Sequence, residues 1–353
     1  TRPLDSPPFP ASGPSGKPMT TPTPRPRRHR APATPDHWLA RGARARLLWP
    51  FSVLYGALAA LDRLRHRVSR VPQRLPVPVV VVGNVVAGGA GKTPTTLALV
   101  RHLRSRGWRP GVISRGYGRE TPPGEPDVRA VPPDASARWV GDEPLLIARE
   151  SGVPVFVGRR RAEAGQALLA AYPHTDILVC DDGLQHHALG RDLEICVFDE
   201  RGIGNGWLLP AGPLREPWPP RREPVCPRLV LHTGQRVAPS LAGTGWHAPR
   251  RLADYALRAD GGRVALQALA GRPLAAVAGI ARPQAFFDML AQAGLQIGTR
   301  VPLPDHDDFS GGLPPSCDGL TVLCTEKDAV KLWPVVPGAL AVPMVLDLSL
   351  IHI

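Results

Sequence analysis

The chain has 353 residues, with 43 Lys+Arg against 30 Asp+Glu, a formal net charge of +13 and a pI near 10.5. At 43% hydrophobic residues it is too apolar to be disordered throughout, and it is long enough for two domains. Fourteen of the cations but only three of the anions fall within residues 1–74, so the body is nearly neutral and a basic nucleic-acid-binding face is excluded.

Residues 1–36 hold 11 of the 43 prolines, are rich in Ser, Thr and Arg, and lack an aliphatic pattern, which predicts a disordered tail. The first methionine is Met19, and a natural start there is expected. No basic n-region, apolar h-region and small-residue cleavage site occur in order, so no signal peptide is expected. The five cysteines (Cys180, Cys196, Cys226, Cys317 and Cys324) have neither disulfide-framework nor zinc spacing, which suits a reducing cytoplasm.

Residues 47–61 are uncharged and mostly apolar, with Arg41, Arg44 and Arg46 before them and Arg63, Arg65, Arg67 and Arg70 after. As a helix this stretch reaches about 22 Å, short of a hydrocarbon core of roughly 30 Å, and Pro50 and Gly56 weaken it further. Trp49 and Tyr55 suit a headgroup-level position. Residues 37–74 therefore read as a basic amphipathic helix lying in an anionic membrane surface; the alternative is a helix packed on the protein's own core.

From residue 76 strands and helices alternate. Val77–Val82 is a β-branched run typical of a strand buried on both faces, and Thr93–Leu103 is helical. Strands are expected at Gly111–Ser114, Val153–Val157, Ile177–Cys180 and Leu193–Phe198, with helices at Glu143–Glu150 and Arg160–Ala171. This succession predicts a mostly parallel sheet with helices on both faces. A Pro/Gly-rich stretch at 202–227 interrupts it. A second unit follows, with strand Leu274–Ile280, helix Gln284–Ala293 and strand Leu320–Cys324.

Between the first strand and its helix lies Gly83-Asn-Val-Val-Ala-Gly-Gly-Ala-Gly-Lys92-Thr93-Pro, the context a phosphate-binding P-loop needs. Gly88, Gly89 and Gly91 free backbone N–H groups to close around phosphate oxygens. Lys92 would reach the β- and γ-phosphates and Thr93 would hold Mg²⁺. Only four lysines occur in the chain (Lys17, Lys92, Lys327 and Lys331), so Lys92 and Lys327 draw notice. The strict pattern fails at one position, where Val86 replaces its first glycine.

Ile177–Asp182 is an apolar strand ending in two carboxylates, Asp181 and Asp182, which fits a Walker B element contacting Mg²⁺ directly or through water. Asp142, in Gly141-Asp-Glu-Pro, is open to two readings: a helix N-cap, or a base receiving the proton of an attacking hydroxyl. Asp305-His306-Asp307-Asp308 is a solvated acidic loop, a metal site, or a histidine paired with a carboxylate. Thr325-Glu-Lys-Asp328 has its lysine third, not second, which disfavours a guanine-reading motif and a GTPase.

Taken in order, VPVVVVGNVVAGGAGKTP, SRGYGR, GDEPLLIA, VFVGRRR, ILVCDDGLQHHALGRDLEI, RGIGNGWLLPAGPLREP, AGIARPQAFF, LPDHDDF and TEKDAVKL resemble the bacterial tetraacyldisaccharide 4′-kinases, the lipid A 4′-kinases, over residues 38–347. The resemblance implies transfer of the ATP γ-phosphate to the 4′-hydroxyl of a tetraacylated glucosamine disaccharide 1-phosphate. It implies that Asp142 and His306 act together as the catalytic pair, with Lys92 also catalytic. It places Asp181, Asp182, Gln185 and His186 around Mg²⁺ and nucleotide, with Arg215 and Glu216 nearby and Tyr117 toward the acceptor. The cofactor site is then Gly88, Gly89, Ala90, Gly91, Lys92, Thr93 and Pro94 with Gln185, His186, Arg215 and Glu216, and the metal ligands are Thr93, Asp181 and Asp182. Departures are Leu184 for a usual Phe, Asp307 for a frequent His, and Ala281-Arg282 where small residues are common; the last lies at a turn and puts little of the resemblance in doubt.

The expected fold is α/β, P-loop NTPase-like, with a smaller C-terminal α/β lobe and an N-terminal interfacial helix. Its parts are a tail at 1–36, the helix at 37–74, a kinase domain at 75–235 and the lobe at 236–353. The expected setting is the cytoplasmic face of a bacterial inner membrane, with ATP and Mg²⁺ as cofactors and a lipid A disaccharide precursor as substrate. Neither nucleic acid nor an obligate protein partner is expected. The rivals are a P-loop ATPase switch without a lipid acceptor and a non-enzymatic basic adaptor.

Overall fold

A computed structural model describes residues 35–69, 72–220, 223–305 and 307–346. The expected disordered tail lies outside these residues except for Pro35 and Asp36, and Asp36 already opens a short 3₁₀ turn, Asp36–Trp38. His306 also lies outside them.

Helix α1 (Ala43–Ser69) is 27 residues long and runs through both Pro50 and Gly56. At 1.5 Å per residue it reaches about 40 Å, because the arginine-bearing flanks are helical too. Docking along one narrow stripe holds it. Ala45 and Ser52 are buried. The Ser52 hydroxyl donates to the Leu208 carbonyl (2.8 Å) and accepts from the Ala211 N–H (2.9 Å). Gly56 is small for a reason: a Cβ there would sit 2.8 Å from Leu208 Cδ1. The Tyr55 hydroxyl donates to the Arg215 carbonyl (3.1 Å), so Tyr55 belongs to the protein side of the helix and not to a headgroup layer.

The first sheet is built from β1 (Val79–Gly83), β2 (Pro110–Ser114), β3 (Arg129–Ala130), β4 (Val155–Val157), β5 (Ile177–Asp181), β6 (Leu193–Phe198), β7 (Arg228–His232) and β8 (Trp246–His247). Their order is β3-β4-β2-β5-β1-β6-β7-β8, and every neighbouring pair is parallel except β3 with β4. Helices α2 (Lys92–Ser105), α3 (Ala137–Val140), α4 (Asp142–Ser151) and α5 (Arg161–Ala171) are the crossovers. All five residues of β1 are buried. Val80 and Val82 pack with Leu97, Val100 and Leu145, whereas Val79 and Val81 pack with Ile113, Leu168 and Leu178. That alternation is the period of two expected of a strand covered on both faces, and it explains the unbroken valine run.

The second sheet contains β10 (Tyr255–Leu257), β11 (Arg263–Ala265), β12 (Leu274–Ala278), β13 (Ile297–Pro302), β14 (Thr321–Thr325) and β15 (Leu340–Val342), in the order β11-β10-β15-β14-β12-β13. Helix α6 (Pro283–Gln292) covers one face through Phe286, Phe287 and Leu290. Helix α7 (Glu326–Leu332) covers the other through Ala329 and Leu332. An antiparallel ribbon of β9 (Arg250–Leu252) and β16 (Met344–Leu346) joins the lobes: Leu346 packs into the first core and Leu252 against the second. Helix α7 also packs on α4. The architecture is the expected mostly parallel α/β sheet with a second, smaller α/β unit and an N-terminal helix.

Candidate active site

The carboxyl ends of β1 and β5 face the second lobe across a cavity of about 1080 Å³. Doubly wound sheets bind ligands in this position, where loops of different strands converge. Gly88–Pro94 forms one wall, with Asp182 and Arg215 beside it. Arg282, Phe286 and Lys327 come from the opposite lobe.

The loop opens helix α2 as a P-loop should. Gly91 is the N-cap residue in the left-handed region (φ 85°), and a Cβ there would lie 2.9 Å from the Thr233 hydroxyl. A side chain is therefore excluded on both conformational and steric grounds. The Lys92 ammonium lies 3.7 Å from Asp182 Oδ1, and Arg215 reaches the same oxygen at 3.7 Å. Asp182 has a φ of 50°, uncommon for a non-glycine residue though one Asp adopts more readily than most, at the turn that follows β5.

Asp181 is fully buried at the end of β5 and accepts a hydrogen bond from the Thr96 hydroxyl (2.8 Å). Its other oxygen, Oδ2, is buried without a hydrogen-bond partner, as is Asp182 Oδ1. Burial foremost, and then the charges of Glu143 and Asp182, push Asp181 up to about 7. Two orphaned oxygens and a carboxylate short of countercharge suit a divalent cation. Among the described residues no three His, Cys, Asp or Glu cluster as a self-sufficient metal cage. Mg²⁺ needs no such cage, because it is usually bound by one or two carboxylates together with substrate phosphates.

Gln185, Arg215 and Glu216 form a supporting network. The Gln185 amide donates to Glu216 Oε1 (2.9 Å) and to the Asn84 carbonyl (3.0 Å), and its oxygen accepts from Arg215 (3.5 Å). Of these three, Arg215 lines the cavity. His186 is placed elsewhere: its Nε2 lies 3.4 Å from the Arg161 N–H at the start of α5, and its carbonyl accepts from Arg191.

Asp142 is the first residue of α4 and Gly141 its N-cap, so Asp142 sits one position inside the cap while its side chain still accepts from a free N–H of the first turn. Asp142 is 5% exposed, and its Oδ1 accepts from the Glu143 N–H (3.0 Å). Oδ2 faces Lys331 at 3.3 Å and Lys327 at 3.9 Å. Lys327 also pairs with Glu143 and Asp305, each at 3.2 Å. Burial alone would lower the Lys327 pKa, but Glu143, Asp142 and Asp305 outweigh it and raise it. This group unites the GDEP and DH strings with the lysines of α7. Sequence reasoning noticed Lys327 for its rarity without giving it a place. Thr325-Glu-Lys-Asp328, weighed only as a nucleotide motif, caps α7: Thr325 Oγ1 accepts from the Asp328 N–H (3.2 Å), and the Thr325 hydroxyl donates to Asp328 Oδ2 (2.6 Å).

Arg282 also acquires a role. It reaches from the N-cap of α6 to Asp199 Oδ2 (3.2 Å) and to Glu200, spanning the two lobes. The turn at Ala281-Arg282 is therefore a charged bridge between the lobes.

A phosphate cradle after β1, strand-end carboxylates on β5 and a cleft between two lobes define a P-loop nucleotide-dependent phosphotransferase. The model of the family "Tetraacyldisaccharide-1-P 4′-kinase" matches residues 44–350. A tetraacyldisaccharide 4′-kinase of Acidovorax sp. (strain JS42) is 60% identical over 310 residues, 88% of each chain. One from Polaromonas sp. (strain JS666 / ATCC BAA-500) is 54% identical over 314 residues, 87% of this chain and 90% of that one. A crystal structure of LpxK from Aquifex aeolicus in complex with ATP has a TM-score of 0.72 at 29% identity, covering 86% of this chain and 94% of that one. The chain belongs to the tetraacyldisaccharide 4′-kinase family.

Proposed function

We propose that the chain transfers the γ-phosphate of ATP to the 4′-hydroxyl of a tetraacyldisaccharide 1-phosphate, giving the 1,4′-bisphosphate in lipid A biosynthesis. The observation that carries the reading is that Lys92, Asp182, Glu143, Asp305 and Lys327 line one cavity, with Asp142 behind them paired to Lys327, in a chain of this family.

Phosphoryl transfer passes through a loose transition state, so the protein's work is positioning and charge stabilisation. Gly88–Thr93 cradles the phosphate chain, and Lys92 and Arg215 offer positive charge to the migrating group. Asp181, Asp182 and the Thr93 hydroxyl are the residues that would hold Mg²⁺, which when bound neutralises charge on the phosphate oxygens. Asp142 receives the proton of the acceptor hydroxyl, its own charge balanced by Lys331 and Lys327. A loose transition state asks little basicity of the acceptor group, so a well-paired carboxylate suffices. His306 is assigned to orient Asp142. Gln185 and Glu216 hold Arg215, and Tyr117, which lines the cavity, faces the acceptor side. In this reading residues 75–235 supply the nucleotide machinery and 236–353 the covering lobe.

The outer face of α1 exposes Leu47, Phe51, Leu54, Leu58 and Leu61. The segment Ala43–Arg65 is long and apolar enough to cross a membrane by length and composition, and 6% of its apolar window is buried. With its arginine flanks, this face suits peripheral or monotopic attachment to an anionic inner-membrane surface, where the acylated acceptor resides.

The test is transfer from γ-labelled ATP to the tetraacyldisaccharide 1-phosphate in detergent. Wild type labels the lipid, whereas Lys92→Ala and Asp142→Ala reduce the rate by about 10²-fold or more. ATP hydrolysis without labelled lipid would favour the switch reading, and undiminished labelling by Asp142→Ala would remove Asp142 as the base.

A further inference from the structure

The P-loop backbone has an accounting that the Walker pattern does not supply. A trans peptide points its C=O and the following N–H in opposite directions. A group that ties back the carbonyl therefore aims the next N–H the other way. In this loop four successive carbonyls, those of Ala87, Gly88, Gly89 and Ala90, are tied back by side chains from outside the loop's tip. Arg201 takes two of them, donating from Nη1 to the Ala87 carbonyl (3.5 Å) and from Nη2 to the Gly89 carbonyl (3.1 Å). Asn84 Nδ2 donates to the Gly88 carbonyl (3.2 Å), and the Thr233 hydroxyl donates to the Ala90 carbonyl (2.8 Å). The N–H groups of Gly88, Gly89, Ala90 and Gly91 belong to those same four peptides. None of the four has a protein acceptor among the described residues, and all four residues line the cavity.

Arg201 is itself held firmly. Its Nε lies 3.0 Å from both oxygens of Asp199 and its Nη2 lies 2.8 Å from Oδ2, and the Asp199 side chain is 1% exposed at the end of β6. Gly88 is the position that admits the guanidinium: it has a φ of 96°, and a Cβ there would stand 3.2 Å from Arg201 Nη1. The front of the loop is pinned separately, by the Ala87 N–H to the Pro213 carbonyl (2.8 Å) and by a bridge between Val86 and Leu214. That explains how the loop keeps its shape with Val86 in place of the first glycine.

We propose that Arg201, anchored by Asp199 and assisted by Asn84 and Thr233, is the positioning residue of the phosphate cradle. It touches no phosphate, and acts by holding carbonyls back so that four N–H groups face the β- and γ-phosphates. This deepens the kinase reading and rests on its nucleotide assignment alone.

The experiment measures ATP and ADP binding to the full chain in Mg²⁺ buffer without acceptor, together with KM for each substrate in the transfer assay. Arg201→Ala is expected to weaken ATP and ADP alike by about tenfold, the scale of charge-assisted hydrogen bonds lost. Thr233→Val, close in shape but without the donor, and Arg201→Lys, which keeps the charge beside Asp199 but loses the fork, are expected to weaken them by a few-fold. KM for the lipid stays within about twofold in all three, which a general loss of structure would not allow. Native-like ATP affinity in folded Arg201→Ala overturns the proposal. So does native affinity in Arg201→Lys if the alanine variant does not fold, or a lipid KM rising in step with that for ATP. A wild type that binds ATP but labels no lipid defeats the acceptor assignment and leaves this test readable.

Discussion

Glu326 opens α7 at the edge of the cavity, and its Oε2 accepts from the Met344 N–H (3.1 Å) on the inter-lobe ribbon. Burial, followed by the nearby charge of Glu150, pushes it up to about 7 from an ordinary carboxylate value. A carboxyl raised in the native state binds its proton more tightly folded than unfolded. Its contribution to stability is therefore present at acid pH and lost as pH rises toward about 7, then flat. Glu326→Gln keeps an acceptor for Met344 and removes the charge. Its unfolding free energy relative to wild type is expected to improve by about 2 kcal/mol between about pH 5 and pH 8. A difference independent of pH, read by denaturant melts, would show that Glu326 does not titrate there. Asp181 and Asp182 were legible from the strand they end, and Lys92 from its loop. Glu143, Asp305 and Lys327 were not, because their meaning lies in contacts between residues far apart in sequence. Spacing carries no trace of such contacts.

Among the elements, β1, α2, β5 and β6 were readable because unbroken apolar runs and a glycine-to-helix junction are local signals. Helix α1 was readable only in its middle. Pro50 and Gly56 count against a helix in isolation, and what overrides them is docking on a loop more than 150 residues away. Its two faces make separable predictions. Asn at Leu54, Leu58 and Leu61 together is expected to leave transfer in detergent unchanged while lowering partition into anionic vesicles by tenfold or more, since each exposed leucine contributes about 1–2 kcal/mol of apolar contact. Gly56→Val presses on Leu208 from the other face and is expected to slow transfer in detergent several-fold, because the loop it lifts also carries Arg215. Equal loss of both readouts in both variants would mean the faces are not distinct.

At the scale of the whole molecule, the nucleotide cavity is walled by both lobes, so ligand binding stabilises their joint arrangement. Saturation with ATP at about 100 times its Kd is expected to add about 2.7 kcal/mol of stability, and a rise in Tm of about 4 °C for a chain of this size. Lys92→Ala abolishes that rise, and calorimetry would expose its persistence. The inter-lobe contacts, Arg282 to Asp199 and α7 on α4, could not have been anticipated from the chain. Each half is a regular α/β pattern with no signal for how it faces the other.

The bond from the Tyr55 hydroxyl to the Arg215 carbonyl has a consequence for where the reaction can occur. Arg215 in turn faces Asp182, so a single short chain of contacts links the outermost helix to the phosphate site. Where α1 lies in a bilayer surface through its outer face, as proposed, it would set the altitude of the phosphate site above the acyl chains. Lengthening or shortening the sugar portion of the acceptor by one ring would shift its hydroxyl by several ångströms from that height. The enzyme would thus select its lipid by measuring it against the membrane plane as well as by gripping it.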